Sequence, residues 1–293
     1  MRIALLYLAL AICSASQGAP PRNPLPAHSP YQQALQLYKH TEYRQAIAAL
    51  RNAPETAETL ELLGRCHLME ADHGKAVEAL EKAVALAPSS SMAFTWLGRA
   101  YGRKAETAFP LAALGWAGKS RQSFEKAVQL DPSNGEAVND LFEFYFQAPA
   151  MVGGGHEKAR GLIPLIAKID PAEAAFAEAR LSEEHKKYGA AESALRHAVE
   201  LAPEHAGRLL DLAKFLARQG RFDESEQTFD QAERVEPNAP KILFARAQTW
   251  IRTKRNIGQA KALLAKYLAS PRRTPDDPST GDVTKLLRKA EGL

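Results

Sequence analysis

The sequence predicts an all-α fold: an elongated solenoid of about seven helix pairs, closed by one C-terminal helix. Three observations predict it. Six prolines close similar phrases: ALAP at Pro88, QLDP at Pro132, KIDP at Pro171, ELAP at Pro203, RVEP at Pro237 and LASP at Pro271. Their gaps are 44, 39, 32, 34 and 34 residues, so one period of 34 holds with insertions in the earlier units. Between the prolines, small and large apolar residues recur in one phase. The composition, 45% hydrophobic and 25% charged, is that of a chain able to bury apolar faces and far from the disordered class.

In chain order, residues 1–18 read as an export signal. Arg2 gives a short basic start, Ile3 to Ile12 is an unbroken apolar run, and small residues follow in CSASQGA. The run is about half of the ~20 apolar residues a bilayer span needs. Cys13 follows Ile12 rather than a small residue, which argues against lipidation. Residues 19–29 hold Pro20, Pro21, Pro24 and Pro26 and predict a stiff extended spacer. Without the leader, Cys66 is the one remaining cysteine, so an internal disulfide is excluded.

The solenoid is assigned to residues 30–272, with units near 31–56, 57–90, 91–134, 135–173, 174–205, 206–239 and 240–272. Gly64, Gly98, Ala179 and Ala213 stand where the two helices of a unit cross closely, and Phe142 breaks that rule in the fourth unit. Ala76, Ala159, Ala191 and Ala260 answer them on the second helices, and Leu80, Phe124, Ile163, Leu195 and Phe229 fill the space between layers. The prolines stop each second helix. Ten extra residues near 104–118 and five near 148–155 are read as loops inside the third and fourth units. The glycines at 153–155 read as a flexible joint, so Gly154→Ala is expected to cost much less than Gly98→Leu. Residues 273–281 are a linker. Residues 282–293 form an amphipathic capping helix with Asp282 as its N-cap.

In the second unit, Leu60, Leu63, Gly64 and His67 occupy first-helix signature positions, and Ala76, Leu80, Ala83 and Pro88 occupy second-helix ones. The third gives Phe94, Leu97, Gly98 and Tyr101, then Ser120, Phe124, Ala127 and Pro132. On these residues the chain resembles the tetratricopeptide repeat family from Tyr31 to about Ser270. The phased repeats and the APxxxGGG loop also resemble exported bacterial envelope members of that family. The resemblance implies a right-handed superhelix with a concave groove lined by first helices, and a role in binding proteins or peptides. It also implies that the residue after each small first-helix residue faces the groove. Groove candidates are then Arg65, Arg99, Arg180 and Lys214, with Arg103, Asn139, Phe146, Phe176 and Arg218 nearby. Guanidinium forks bind carboxylates in two-point contacts, so an acidic or C-terminal peptide is one reading. Pairing with acids of the chain itself, such as Glu61 and Glu143, is the other. The carboxylate clamp of some family members is not carried over, because Asn139 is out of place for it.

Phe109, Leu111, Trp116 and Met151 mark the two insertions. They are expected either to meet a partner or to pack on each other. The GWAGKS stretch at 115–120 has the wrong glycine spacing for a phosphate loop. His67 and His73 lack the spacing of a zinc helix, and no nucleophile constellation surrounds Cys66. No cofactor, metal or catalytic role is expected. Basic residues number 38 against 34 acidic ones, interspersed, and no nucleic-acid partner is implied. The functional expectation is a non-catalytic protein-binding scaffold of the periplasm or cell exterior. The alternative is a permanent subunit of an envelope assembly or secretion complex.

Overall fold

The computed structural model describes residues 29–270 and 274–292. The leader and almost all of the proline spacer lie outside them, as does Pro271. Among the described residues there are fifteen α-helices and no strand. They pair antiparallel in chain order: α1 (Pro30–Lys39) with α2 (Tyr43–Leu50), α3 (Ala57–Met69) with α4 (His73–Leu86), and α5 (Ser91–Thr107) with α6 (Pro110–Leu130). Then come α7 (Gly135–Gln147) with α8 (His156–Ile169), α9 (Pro171–Glu184) with α10 (Tyr188–Leu201), α11 (Ala206–Arg218) with α12 (Phe222–Val235), and α13 (Pro240–Arg252) with α14 (Ile257–Ala269). A single helix, α15 (Thr280–Glu291), ends the stack against α14 and α13.

The small residues set the spacing within pairs. A Cβ added to Gly64 would overlap Leu80, and one added to Gly98 would lie 2.5 Å from the Phe124 ring. Two second helices are also pinned by a buried hydroxyl. Ser120 Oγ donates to the Gly98 carbonyl at 2.8 Å, and Ser225 Oγ donates to the Ala213 carbonyl at 2.8 Å. Phe142, too large for such a crossing, is buried in a separate cluster with Val138, Ile163, Ile166 and Leu181.

Five pairs share one turn. Thr41, Ala71, Lys186, Gly220 and Lys254 all take positive φ between the helices, and each turn closes with the same two backbone hydrogen bonds. Left-handed backbone costs a non-glycine residue roughly 1 kcal/mol, so this geometry is imposed by the repeat rather than by the residue. The third and fourth pairs lack the turn because their insertions stand in its place.

Three expectations are corrected. The extra residues near 104–118 are not a loop: α5 is 17 residues long and α6 is 21, against 13 or 14 for α3, α4 and α7 to α14. The insertion extends both helices, and only Ala108 and Phe109 interrupt them. Helix formers such as Lys104, Ala105, Leu111 and Ala112 continue a helix that is already nucleated. The N-cap of α15 is Ser279, whose Oγ accepts from the Asp282 N–H at 3.1 Å. Its hydroxyl donates to the Asp282 carboxylate at 2.7 Å, so Asp282 is the far partner of the cap. Gly154 is no free joint: an added Cβ would overlap the backbone carbonyl of Ala148. The second insertion is a short loop, as expected, carrying a 3-10 turn at Ala150–Val152.

The proline gap of 32 has a local cause. Pro171 is the first residue of α9 rather than a stop beyond α8. Asp170 ends α8 and caps α9, accepting from the Ala172 and Glu173 N–H groups at 2.9 and 3.0 Å. The usual inter-unit link is absent there.

Candidate functional site

The first helices touch in sequence along one face: α1 with α3, α3 with α5, α5 with α7, and α11 with α13. A row of alternating aromatic rings and guanidinium groups runs along them. Arg65 lies 4.7 Å from the Tyr38 ring centre and 4.5 Å from that of Trp96, and Arg99 covers the other side of Trp96 at 4.4 Å. Further along, Arg180 lies 4.3 Å from Phe146 and 5.8 Å from Phe176, and Arg208 lies 5.5 Å from Phe176. Planar guanidinium groups stack on rings while their edges stay free to pair with acids.

Those edges are occupied from within the chain. Arg99 pairs with Glu136 at 2.9 Å and Asp140 at 2.5 Å, joining α5 to α7. Arg180 pairs with Glu143, joining α9 to α7. Arg208 pairs with Glu173, joining α11 to α9. Arg218 holds Glu183 in two bonds of 2.5 and 2.6 Å, and Lys214 lies 3.7 Å from Asp211. Arg65 reaches Glu61 at 3.6 Å. Burial lowers the affinity of Arg99 for its proton, but Asp140 and Glu136 outweigh it and hold that guanidinium above its ordinary value. Burial pushes the Asp140 and Asp211 carboxyls up, against the pull of their cations, and lowers Arg180.

Two cavities open on this face. One of about 660 Å³ is lined by Phe146, Phe176, Arg180, Lys214, Arg218 and Tyr188 among others. The other, of about 1130 Å³, lies between Met69, Trp96, Arg99 and Arg103 on one side and Phe244, Asp276, Asp277 and Leu286 on the other. The C-terminal segment thus faces the second and third units across the groove. Trp96 lines this larger cavity; its indole N–H is itself fully buried and, like the neighbouring Arg65 Nε, has no hydrogen-bond partner among the described residues. Arg103 is exposed there and, among the described residues, pairs only with Glu106, at 2.9 Å.

Of the sequence-derived groove residues, Arg99 and Arg103 line the larger cavity, and Phe146, Phe176, Arg180, Lys214 and Arg218 line the smaller. Arg65 lies between its two rings and lines neither. Asn139 is half-buried on α7 at helical spacing from Glu143 and Phe146, and has no hydrogen-bond partner among the described residues. The insertion residues are not brought together. Phe109 and Leu111 are 88% and 85% exposed at the tip of the α5–α6 pair, whereas Met151 is exposed on the 3-10 turn. That turn sits beside Arg121, where Gly153 packs, eleven residues or about 16 Å along α6 from the tip. Trp116 is half-buried against Tyr101, ring centres 5.7 Å apart. Trp96 was not among the groove candidates. The signal that points to it is the pair Arg65 and Arg99 at one repeat position, which leaves a ring-sized gap between successive guanidinium groups.

Residues 31–91 and residues 183–251 each match a family model described as tetratricopeptide repeat. This chain is a tetratricopeptide repeat protein. The two matches cover the first two units, and the sixth with parts of the fifth and seventh, and leave the third and fourth, which carry the insertions, between them. No curated protein matches the chain. Among solved structures, a thermophilic tetratricopeptide repeat protein of Thermus thermophilus is 22% identical, with a TM-score of 0.53, over 64% of this chain and 97% of its own. A tetratricopeptide repeat protein of Parabacteroides merdae is 12% identical, with a TM-score of 0.60, over 89% of this chain and 97% of its own. At these identities the likeness is one of fold. Tetratricopeptide domains are in general protein–protein interaction scaffolds, and the present one has no helix, among the described residues, long and apolar enough to cross a membrane.

Proposed function

We propose that this tetratricopeptide repeat protein is a non-catalytic scaffold, exported by its leader, that holds an extended segment of a partner protein in the larger groove cavity. The observation that carries this reading is the 1130 Å³ cavity that the Trp96 ring walls together with both ends of the solenoid. A segment held there would cover an aromatic side chain, the kind that carries much of the energy of an interface. Met69, Leu68 and Phe244 offer apolar contact beside it, and Arg103 offers an exposed cation whose partner among the described residues is the exposed Glu106. Because Arg99, Arg180 and Arg218 are already paired within the chain, the partner's acidic character is asked for at Arg103 rather than along the whole groove.

The test is capture from an envelope extract of the source cell, using wild type and Trp96→Phe. Phenylalanine keeps a ring between Arg65 and Arg99 and shortens the aromatic wall that Trp96 gives the cavity. A partner that occupies the cavity should bind the variant several-fold more weakly, the loss of about 1 kcal/mol of apolar contact. Arg103→Glu should weaken it too and remove much of the salt sensitivity. Capture of the same proteins at equal strength by both variants would refute the site. Recovery of the protein from the cytoplasm with Met1 intact would refute export.

A further inference from the structure

The α5–α6 pair extends beyond its neighbours, by about 5 Å on α5 and 10 Å on α6 from the extra residues at 1.5 Å each, and what it carries at the tip is apolar. Phe109 is 88% exposed, Leu111 85% and Leu114 40%. Leu111, Leu114, Gly115 and Gly118 stand at spacings of 3, 4 and 7 and form one stripe. Side chains added at Gly115 and Gly118 would meet nothing within 4 Å, so the stripe is uncovered. Monomeric proteins rarely leave a contiguous apolar tip of this kind without a use.

The charge around the tip is net positive, with Glu106 on the last turn of α5 as its one acid. No acidic residue lies between Glu106 and Glu125. Arg103 and Arg121 are matched by Glu106 and Glu125, but Lys104 and Lys119 have no carboxylate partner among the described residues. Both ammonium groups instead lie over the Trp116 ring, at 4.2 and 4.7 Å, with Trp116 stacked on Tyr101. From the end inward, the order is therefore exposed Phe and Leu, then Trp with two uncompensated lysines about 10 Å back along α6.

We propose that this tip is a membrane-surface contact that docks the solenoid on an anionic bilayer. A convex apolar tip suits an interface into which side chains insert by about 5–10 Å, with tryptophan at headgroup depth and lysines reaching phosphates. A protein partner would need a concave pocket to receive the same tip, and with Glu106 matched by Arg103 the two lysines leave a net positive charge that suits an anionic surface. Each lysine near an anionic surface strengthens binding, and salt screens it. Phe109, Leu111 and Leu114 do not line the groove cavity, which reaches along α5 as far as Glu106.

The test is co-sedimentation of the full chain with vesicles of phosphatidylcholine alone or mixed with phosphatidylglycerol. The apolar leader is common to every variant, so the comparison isolates the tip. Wild type should bind the anionic vesicles at low salt and release them at high salt. Phe109→Ser with Leu111→Ser, and Lys104→Glu with Lys119→Glu, should each weaken that binding about tenfold or more. Circular dichroism melts check that the variants fold, and Leu114→Gln serves as a milder apolar variant. Equal binding to neutral and anionic vesicles overturns the proposal. So does wild-type-like binding by the apolar variants, which would leave only diffuse charge. If wild type ignores vesicles while the apolar double variant loses a protein captured by wild type, the tip is a protein contact and the membrane reading falls.

Discussion

Gly98 and Gly154 show how much a single Cβ decides. Gly98 faces the Phe124 ring within one pair, and Gly154 faces the Ala148 carbonyl within one loop. A ring can shift by a few tenths of an ångström, whereas a backbone carbonyl held by its own turn cannot. Gly98→Ala is therefore expected to destabilise by about 1–3 kcal/mol, and Gly154→Ala by at least as much. Urea melts of the two variants check the ranking, and a Gly154→Ala protein as stable as wild type would show that the loop can open. The repeat phase made Gly98 legible as a packing glycine. Gly154 was not, because its neighbour is a carbonyl six residues earlier whose position depends on the path of the whole loop.

At the scale of elements, α15 is held by its apolar face and its cap. Val283 and Ala290 are fully buried with Tyr267 and Leu264, and the Tyr267 hydroxyl donates to the Pro278 carbonyl just before the helix. Covering the last pair in this way is what a terminal repeat requires. Val283→Asp should place an uncompensated carboxylate in that cluster and lower stability by about 3 kcal/mol or more, with aggregation through the uncovered face of α14. Thermal denaturation with light scattering reads both effects. Loss of the same size from Lys285→Asp, at an exposed position, would argue against the specific role of the cap.

For the whole molecule, the units are coupled by the ion pairs along the groove as well as by apolar contact. Arg208 is the most buried of these cations, 8% exposed, and joins α11 to α9 through Glu173. Removing one partner of a buried pair costs about 3–5 kcal/mol, whereas exposed pairs such as Arg44 with Glu70 are worth about 1 kcal/mol or less. Solenoid stability is the sum of unit and neighbour terms. Arg208→Ala should therefore accelerate hydrogen exchange in α11 to α14 far more than in α3 to α6. Uniform acceleration along the chain would mean that the solenoid opens as one cooperative unit.

The amino-acid order alone determined the helix pairs, their small crossing residues and the family, because these depend on a period of 34 and on local periodicity. It also pointed to Arg65, Arg99, Arg180 and Arg218 of the inner face, but not to Arg208. It could not decide whether those arginines are free, because the partners Asp140, Glu143 and Glu183 of Arg99, Arg180 and Arg218 belong to neighbouring units and meet them only when the units stack. It could not show that ten inserted residues lengthen two helices rather than form a loop, since either outcome suits their helix propensity and only packing of Trp116 on Tyr101 favours the extension. And it could not place the acidic segment at Asp276 and Asp277 across the groove from Trp96, because the curvature that brings the two ends of the solenoid face to face is summed over every unit between them.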